Sequence, residues 1–192
     1  MTPKAAERFE STRLVFRRPV VDDDRSILER YAGDAEVTRY LGWPRHTSIA
    51  DTRAFLAVSD AEWSRWPAGP YLLFSRDGGE LLGGTGLVFE TPERAATGYV
   101  LARDAWGRGY ASEALQAMVD LARTVQIRHL YALCHPDHQA SARVLIKCGF
   151  QLEGIRPQSS KSSEFPNLHP GQLADVHCYA TTLVSGPPPV RS

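Results

Sequence analysis

The residues best suited to chemistry lie in one short stretch, Trp106-Gly107-Arg108-Gly109-Tyr110-Ala111-Ser112. It joins an apolar, strand-like run, Tyr99-Val100-Leu101-Ala102, to a helix that starts without a break. The first amides of a helix have no partner inside it and point at whatever sits there. The aligned peptide dipoles add partial positive charge at that end, and phosphate is the usual guest. Arg108 places a guanidinium inside the turn and Ser112 a hydroxyl in the first helical turn. A diphosphate would meet amides, dipole and cation together. The stretch is neither of two common phosphate loops. Ser112 stands where a dinucleotide fingerprint has its third glycine, and no Gly-Lys-Ser/Thr is present. The glycines alone fit a bare strand-to-helix connection. The entering strand, the arginine and the serine point to an anion.

A second group of reactive side chains is His135-Pro136-Asp137-His138, followed by Ser141. The group offers no third ligand for a metal ion, so no metal is expected. His138 fits a helix cap, a ligand contact or a base, since an ordinary imidazole accepts a proton near neutral pH. Ser141 by itself reads as a helix-surface hydroxyl.

The elements that must position these residues follow from periodicity and breakers. Residues 1–11 are polar and read as a flexible N-terminus. Arg13-Leu14-Val15-Phe16-Arg17 is a first strand, stopped by Pro19. Asp22-Asp23-Asp24 starts a helix that runs to Gly33, and a shorter helical piece spans Ala35 to Tyr40. Thr47 or Ser48 caps a helix that packs Ile49, Phe55, Leu56 and Trp63 inward. His46 reads as an exposed loop residue, and Trp63 and Trp66 as packing residues. Strands are expected at Tyr71–Ser75, Leu81–Phe89 and Ala95–Ala102, the first two joined by an Asp77-Gly78-Gly79 hairpin turn. Gly83, Gly84 and Gly86 suggest a bulge or a close backbone approach. The helix after the glycine turn carries Ala111, Ala114, Leu115, Met118 and Val119 at helical spacing. Ile127–Cys134 reads as a strand. Asp137 caps the helix Gln139–Cys148, Gly149 takes its left-handed end, and Phe150 folds back beyond it. Residues 155–172 read as a polar loop and Asp175–Leu183 as the last strand. The order predicts an α+β fold with a mixed sheet and helices on both faces. It divides into a flexible segment 1–11, a single domain 12–184 and a disordered tail 185–192.

Composition narrows the class. The 192 residues suffice for one domain with a real core. Lys+Arg and Asp+Glu both number 22, so a basic footprint for nucleic acid is missing. No apolar run suits a membrane span or a signal core. Three scattered cysteines, Cys134, Cys148 and Cys178, fit a reducing cytoplasm.

Gly98-Tyr99 followed by Trp106-Gly107-Arg108-Gly109-Tyr110-Ala111-Ser112-Glu113-Ala114 resembles the coenzyme A pyrophosphate loop of the GNAT acetyltransferase superfamily. The usual form is Q/R-x-x-G-x-G/A; here Trp106, Gly109 and Ala111 take the first, fourth and sixth places. Tryptophan in the first place is similar to the RimJ/RimL branch, which acetylates ribosomal-protein N-termini. His138–Gly154 resembles the branch's N-x-x-S-x-x-V-L-x-K-x-G-F-x-x-E-G, and Asp175–Ala180 its closing strand. Arg13–Arg17 is similar too, so the likeness covers residues 12–183. It implies a GNAT fold: a mixed, mostly antiparallel sheet with a splayed strand pair at the coenzyme site. It implies acetyl-CoA as co-substrate, and Val100, Leu101 and Ala102 as strand contacts to it. Trp106, Gly107, Arg108, Gly109, Tyr110, Ala111 and Ser112 would form its loop, with His138 and Ser141 as further contacts. Ser141 matches the branch serine, a candidate proton donor to the leaving thiolate.

There are departures. Many relatives carry a basic glutamate just before Gly-Tyr; this chain has Ala95-Ala96-Thr97 there, and His138 replaces the branch asparagine. The loop region where ribosomal-protein enzymes often place a glutamate reads Gln158-Ser159-Ser160 here, with Glu164 beyond it. His138 stays a candidate base beside its readings as a ligand contact and a helix cap. The resemblance implies acetyl transfer to a primary amine, with a protein or peptide N-terminus leading and a small-molecule amine second. A catalytically weak acyl-CoA sensor and an unrelated phosphate-binding module are the readings from other classes. A homodimer is expected from the branch.

Overall fold

The computed structural model describes residues 3–157, 164–169 and 174–183. Eight strands form one sheet in the order β1-β2-β3-β4-β5-β6-β8-β7. They are β1 (Arg8–Glu10), β2 (Leu14–Arg17), β3 (Pro70–Ser75), β4 (Leu81–Thr91), β5 (Arg94–Leu101), β6 (His129–Cys134), β7 (Gln151–Arg156) and β8 (Val176–Thr182). Between β2 and β3 lie a short helical segment containing α1 (Asp24–Ile27) and the long helix α2 (Ile49–Arg65). Helices α3 (Tyr110–Thr124) and α4 (Gln139–Lys147) flank β6 in sequence. All pairings are antiparallel except β5 with β6.

Helix α3 buries the face its spacing predicts. Ala114, Leu115, Met118, Val119 and Ala122 of α3 pack with Leu87, Ala95, Leu101, Leu130 and Ala132 in the main core. A second cluster unites Ile27, Tyr31, Leu56, Leu72, Leu81 and Ala102. Ser48 caps α2: its hydroxyl accepts from the Asp51 amide at 3.3 Å, and the Ser48 amide donates back to the Asp51 carboxylate at 3.0 Å. Trp63 is fully buried and donates from Nε1 to the Pro70 carbonyl at 2.9 Å. Trp66 stacks on Phe89, so both tryptophans pack as expected.

The decisive feature is where β5 and β6 part. Their ladder covers three pairs, Arg94↔His129, Ala95↔Leu130 and Ala96↔Tyr131. Beyond Ala96, β5 stays on β4 as far as Leu101↔Gly83, while β6 stays on β8 as far as Cys134↔His177. Two side chains reinforce the first allegiance. The Thr85 hydroxyl donates to the Gly98 carbonyl at 2.7 Å, and the Thr97 hydroxyl to the Gly86 carbonyl at 2.8 Å. The two strands therefore splay apart, as the resemblance implies. Glycine in β4 makes the tight β4–β5 seam possible: a Cβ at Gly83 would fall on the Val100 carbonyl oxygen.

Several local expectations give way to tertiary contacts. Arg8–Glu10, expected to be loose, is an edge strand, because Phe9 stacks on Phe16 with ring centroids 4.4 Å apart. Ala5 is buried beside it. The helix after Asp22 is broken into a 3-10 turn, α1 and a π turn, Leu28–Ala32. Residues 35–40 form turns and no helix. Gln151–Arg156 is an edge strand that runs into the expected loop, and its alternation is masked because all six residues are exposed. His138, not Asp137, is the N-cap residue of α4, and it makes no side-chain cap bond; the Asp137 amide instead donates to His135 Nδ1 at 3.0 Å. Gly149 does take φ 87°, and the Phe150 amide donates back to the Leu145 carbonyl at 3.1 Å. Residues 158–160 and the tail 185–192 lie outside the described residues.

Gly83→Ala sets two backbones against each other at the β4–β5 seam, where no side chain can yield. The expected outcome is a loss of about 3 kcal/mol in urea unfolding, the scale of overpacking. Unchanged stability would show that the seam can open.

Candidate active site

The turn between β5 and α3 is held from below. The Glu113 carboxylate accepts three bonds: from the Ser11 hydroxyl (2.6 Å), the Arg13 amide (2.7 Å) and Arg13 Nε (2.8 Å). Arg13 also donates to the Arg108 carbonyl at 2.8 Å. A second brace pairs Arg103 with Asp34, and Arg30 with Asp104. These pairs hold the carboxyls of Asp34 and Asp104 below the usual carboxylate range. Trp106 turns back and donates from Nε1 to the Leu101 carbonyl at 2.8 Å. Gly107 and Gly109 have φ of 69° and 80°, a left-handed backbone that glycine adopts without strain. Gly109 is the N-cap residue of α3, so the amides of Tyr110, Ala111 and Ser112 are the free donors of its first turn.

Arg108 is exposed, and its guanidinium lies over the Tyr110 ring at 5.3 Å. Arg13 covers the same ring at 4.7 Å. No carboxylate pairs with Arg108 among the described residues, so its charge is available to an anion. The side chains of Leu101 and Ala102 are buried, which leaves only their main chain for a ligand. The Ala102 amide is already used, donating to the Leu82 carbonyl at 2.8 Å. Val100 is half-buried against the second cluster.

Three polar side chains meet beside the splay. Tyr99, on β5, donates from its hydroxyl to Ser141 Oγ, on α4, at 3.3 Å. Ser141 also stands near enough to the Cys134 thiol, at the end of β6, to offset part of the upward push of burial on it. Burial pushes the Tyr99 phenol and the Cys134 thiol up, so both hold their protons at neutral pH. The sequence reading named Ser141 but missed Tyr99 and Cys134 as its partners. Tyr99 had a signal in the Gly98-Tyr99 pair; Cys134 read only as a strand residue.

His135 and His138 follow Cys134, at the open end of the splay. The Tyr40 ring lies against both imidazoles, at 4.6 and 5.1 Å. Phe165 meets His135 edge-on at 4.9 Å. Burial lowers both imidazoles, so each is neutral at neutral pH. Asn167 ties this side together. Its amide nitrogen donates to the carbonyls of Thr38 and Trp43, both at 2.8 Å, and its oxygen accepts from the Arg45 amide at 2.7 Å. Tyr40, Phe165 and Asn167 carry no periodic or motif signal, because the loops that hold them meet only in the fold. His46 is half-buried against Trp43 and Phe55, with Nδ1 3.0 Å from the Thr52 hydroxyl, so it is not a free loop residue. Among the described residues, no group of His, Cys, Asp or Glu is placed to hold a metal ion, and no helix is long and apolar enough to cross a membrane.

Residues 13–151 match the acetyltransferase (GNAT) domain family. The ribosomal-protein-serine acetyltransferase of Escherichia coli is 31% identical over 149 residues, which is 76% of this chain and 78% of that one. An uncharacterized N-acetyltransferase of Bacillus subtilis, YoaA, is 30% identical over 153 residues, covering 78% and 86%. RimL, the ribosomal L7/L12 α-N-protein acetyltransferase, superimposes with a TM-score of 0.80 at 27% identity, over 94% of this chain and all of its own. In that structure RimL holds coenzyme A through a disulfide. A splayed strand pair running into a glycine turn and a family match across most of the chain agree, and the chain belongs to the GNAT acetyltransferases, acyltransferases with acetyl-CoA as co-substrate.

Proposed function

We propose that this protein transfers the acetyl group of acetyl-CoA to the α-amine of a protein or peptide, by direct attack in a ternary complex. The observation that carries the reading is the splay of β5 from β6, which leads to the free amides of α3 and to Arg108, without a carboxylate partner among the described residues. In this reading the amides of residues 110–112 and the Arg108 guanidinium hold the coenzyme pyrophosphate. The main chain of residues 99–101 lies along the pantetheine arm. Holding both reactants in one cleft removes much of the entropy of a bimolecular step. His138, neutral through burial, accepts the proton of the attacking amine, and Ser141 donates to the sulfur that leaves. No acidic side chain on residues 95–97 competes for the base role. The RimL and ribosomal-protein-serine enzymes support the protein N-terminus as acceptor. A small-molecule amine is the second reading. The Asn167 bolt between residues 38–45 and the 164–169 segment favours it, because the bolt confines the acceptor side.

The test is thiol release from acetyl-CoA, measured with short peptides bearing free N-termini and with a panel of small amines. Release with peptides alone supports the first reading; release with small amines alone replaces it with the second. Release with neither, together with tight coenzyme binding, identifies a sensor.

Three outcomes are expected of the site. Gly109→Glu adds bulk, backbone strain and negative charge where phosphate must sit, so coenzyme binding is lost while circular dichroism shows an intact fold. Full affinity in that variant refutes the placement. His138→Gln lowers kcat about a hundredfold, the scale of a lost general base. Undiminished kcat removes His138 from that role. The third outcome concerns pH. Burial holds His46, His135 and His138 below the ordinary imidazole value of 6.5. Between those lowered values and 6.5, the unfolded chain binds more protons than the folded one. Stability therefore rises with pH there, and falls as the pH drops below 6.5. Asp34 and Asp104 add their losses only in more acid solution, below the ordinary 3.8. Thermal unfolding midpoints across this range check the sign, and a flat profile down to the carboxylate range contradicts it.

A further inference from the structure

Building on the reading that the coenzyme sulfur lies beside Ser141, we propose that Tyr99 is a positioning residue. Its phenol holds the Ser141 hydroxyl so that the single Ser141 proton is directed at the leaving sulfur.

The argument starts from what a serine hydroxyl can do. It has one proton to give and two lone pairs to receive with. One lone pair of Ser141 is taken by the Tyr99 hydroxyl, which donates across 3.3 Å from β5 to α4. Tyr99 has no other hydroxyl partner among the described residues, and its ring packs partly against the main core, so the donor has a fixed origin. With Tyr99 donating, the Ser141 proton must point elsewhere. In the structure its other neighbour is the Cys134 sulfur. That thiol spends its own proton on the carbonyls of His135 and His138, at 3.4 and 3.7 Å, which leaves its sulfur to receive. With Tyr99 as donor, the Ser141 proton is left for another acceptor, and the leaving sulfur is one.

Burial raises the Tyr99 phenol, which keeps Tyr99 a donor and opposes loss of its own proton. Tyr99 therefore orients and does not relay. In the transfer step the amine nitrogen bonds to the acetyl carbon and the carbon–sulfur bond breaks. The nitrogen's proton goes to the base, the Ser141 proton goes to the sulfur, and the proton on the base returns through water to Ser141, so that one proton passes in net from nitrogen to sulfur. Tyr99 keeps its proton throughout.

Tyr99→Phe retains the ring and removes only the donor. With a peptide acceptor, kcat is expected to fall three- to tenfold, on the order of one lost hydrogen bond, with the KM for acetyl-CoA unchanged. The double variant Tyr99→Phe/Ser141→Ala is expected to match Ser141→Ala alone, because the two side chains act as one unit. A second readout needs no acceptor. The thiol of bound coenzyme A, followed through the ultraviolet absorbance of its thiolate against pH, should ionise at higher pH in Tyr99→Phe than in the wild type. A wild-type kcat and thiol titration in Tyr99→Phe overturns the proposal, as does an additive loss in the double variant. If the wild type binds coenzyme A yet acetylates no amine, the acceptor reading fails and the thiol titration still decides the role of Tyr99. If the wild type binds no coenzyme A, both fail.

Discussion

The site depends on one constraint: β5 cannot pair with β4 and β6 along its whole length. Its ladder to β4 runs from Arg94 to Leu101, with Thr85 and Thr97 adding side-chain bonds across the seam. Its ladder to β6 ends at Ala96↔Tyr131. β6 keeps its partnership with β8 to the end, and so turns away. Buried backbone groups are nearly always paired, so an opened edge inside a sheet is a place for a ligand that supplies the missing partners. The pantetheine arm of the coenzyme has amide groups suited to that task. The same opening separates Tyr99 from Cys134 and lets Ser141 of α4 bond to Tyr99.

The turn at the mouth of the splay shows how a flexible sequence is made rigid. Two left-handed glycines at 107 and 109 give the backbone its path but no stiffness. Stiffness comes from outside the turn: Glu113 gathers Ser11 and Arg13, Arg13 caps the Arg108 carbonyl, and Trp106 bonds back to Leu101. Arg103 and Arg30 extend the bracing to Asp34 and Asp104. Exposed ion pairs contribute little singly. Here they matter as geometry, because they leave Arg108 as the cation of the loop without a carboxylate partner among the described residues.

Proton chemistry is divided by environment. The neutral imidazoles of His135 and His138 stand with Tyr40 and Phe165 on the side closed by Asn167. The hydroxyls and the thiol that hold their protons stand with Ser141 at the parted strands. Burial acts in opposite directions on bases and acids, lowering the imidazoles and raising the phenol and thiol, so a single physical cause separates acceptors from donors.

Much of this protein was legible in its sequence. The period of Ala114, Leu115, Met118 and Val119 dictates one buried helix face, and α3 has it. Ser48 with Asp51 marks the start of α2, and Gly149 with Phe150 marks the end of α4. The Trp-Gly-Arg-Gly-Tyr-Ala spelling marked the strand-to-helix turn and carried the family resemblance, and Gly107 and Gly109 take the left-handed backbone that such a turn asks of glycine. Local pattern did not carry β1, whose only claim to order is the stack of Phe9 on Phe16, or β7, an edge strand with no buried face. Nor did it carry the partnership of Tyr99, Ser141 and Cys134, three residues from β5, α4 and β6. The sequence by itself determined most of the elements and the glycine turn, since these rest on short-range spacing, and its family resemblance named the donor molecule. Only the tertiary structure decided where β5 leaves β6 and which side chains share the opening, since that depends on strands competing for neighbours far apart in the chain.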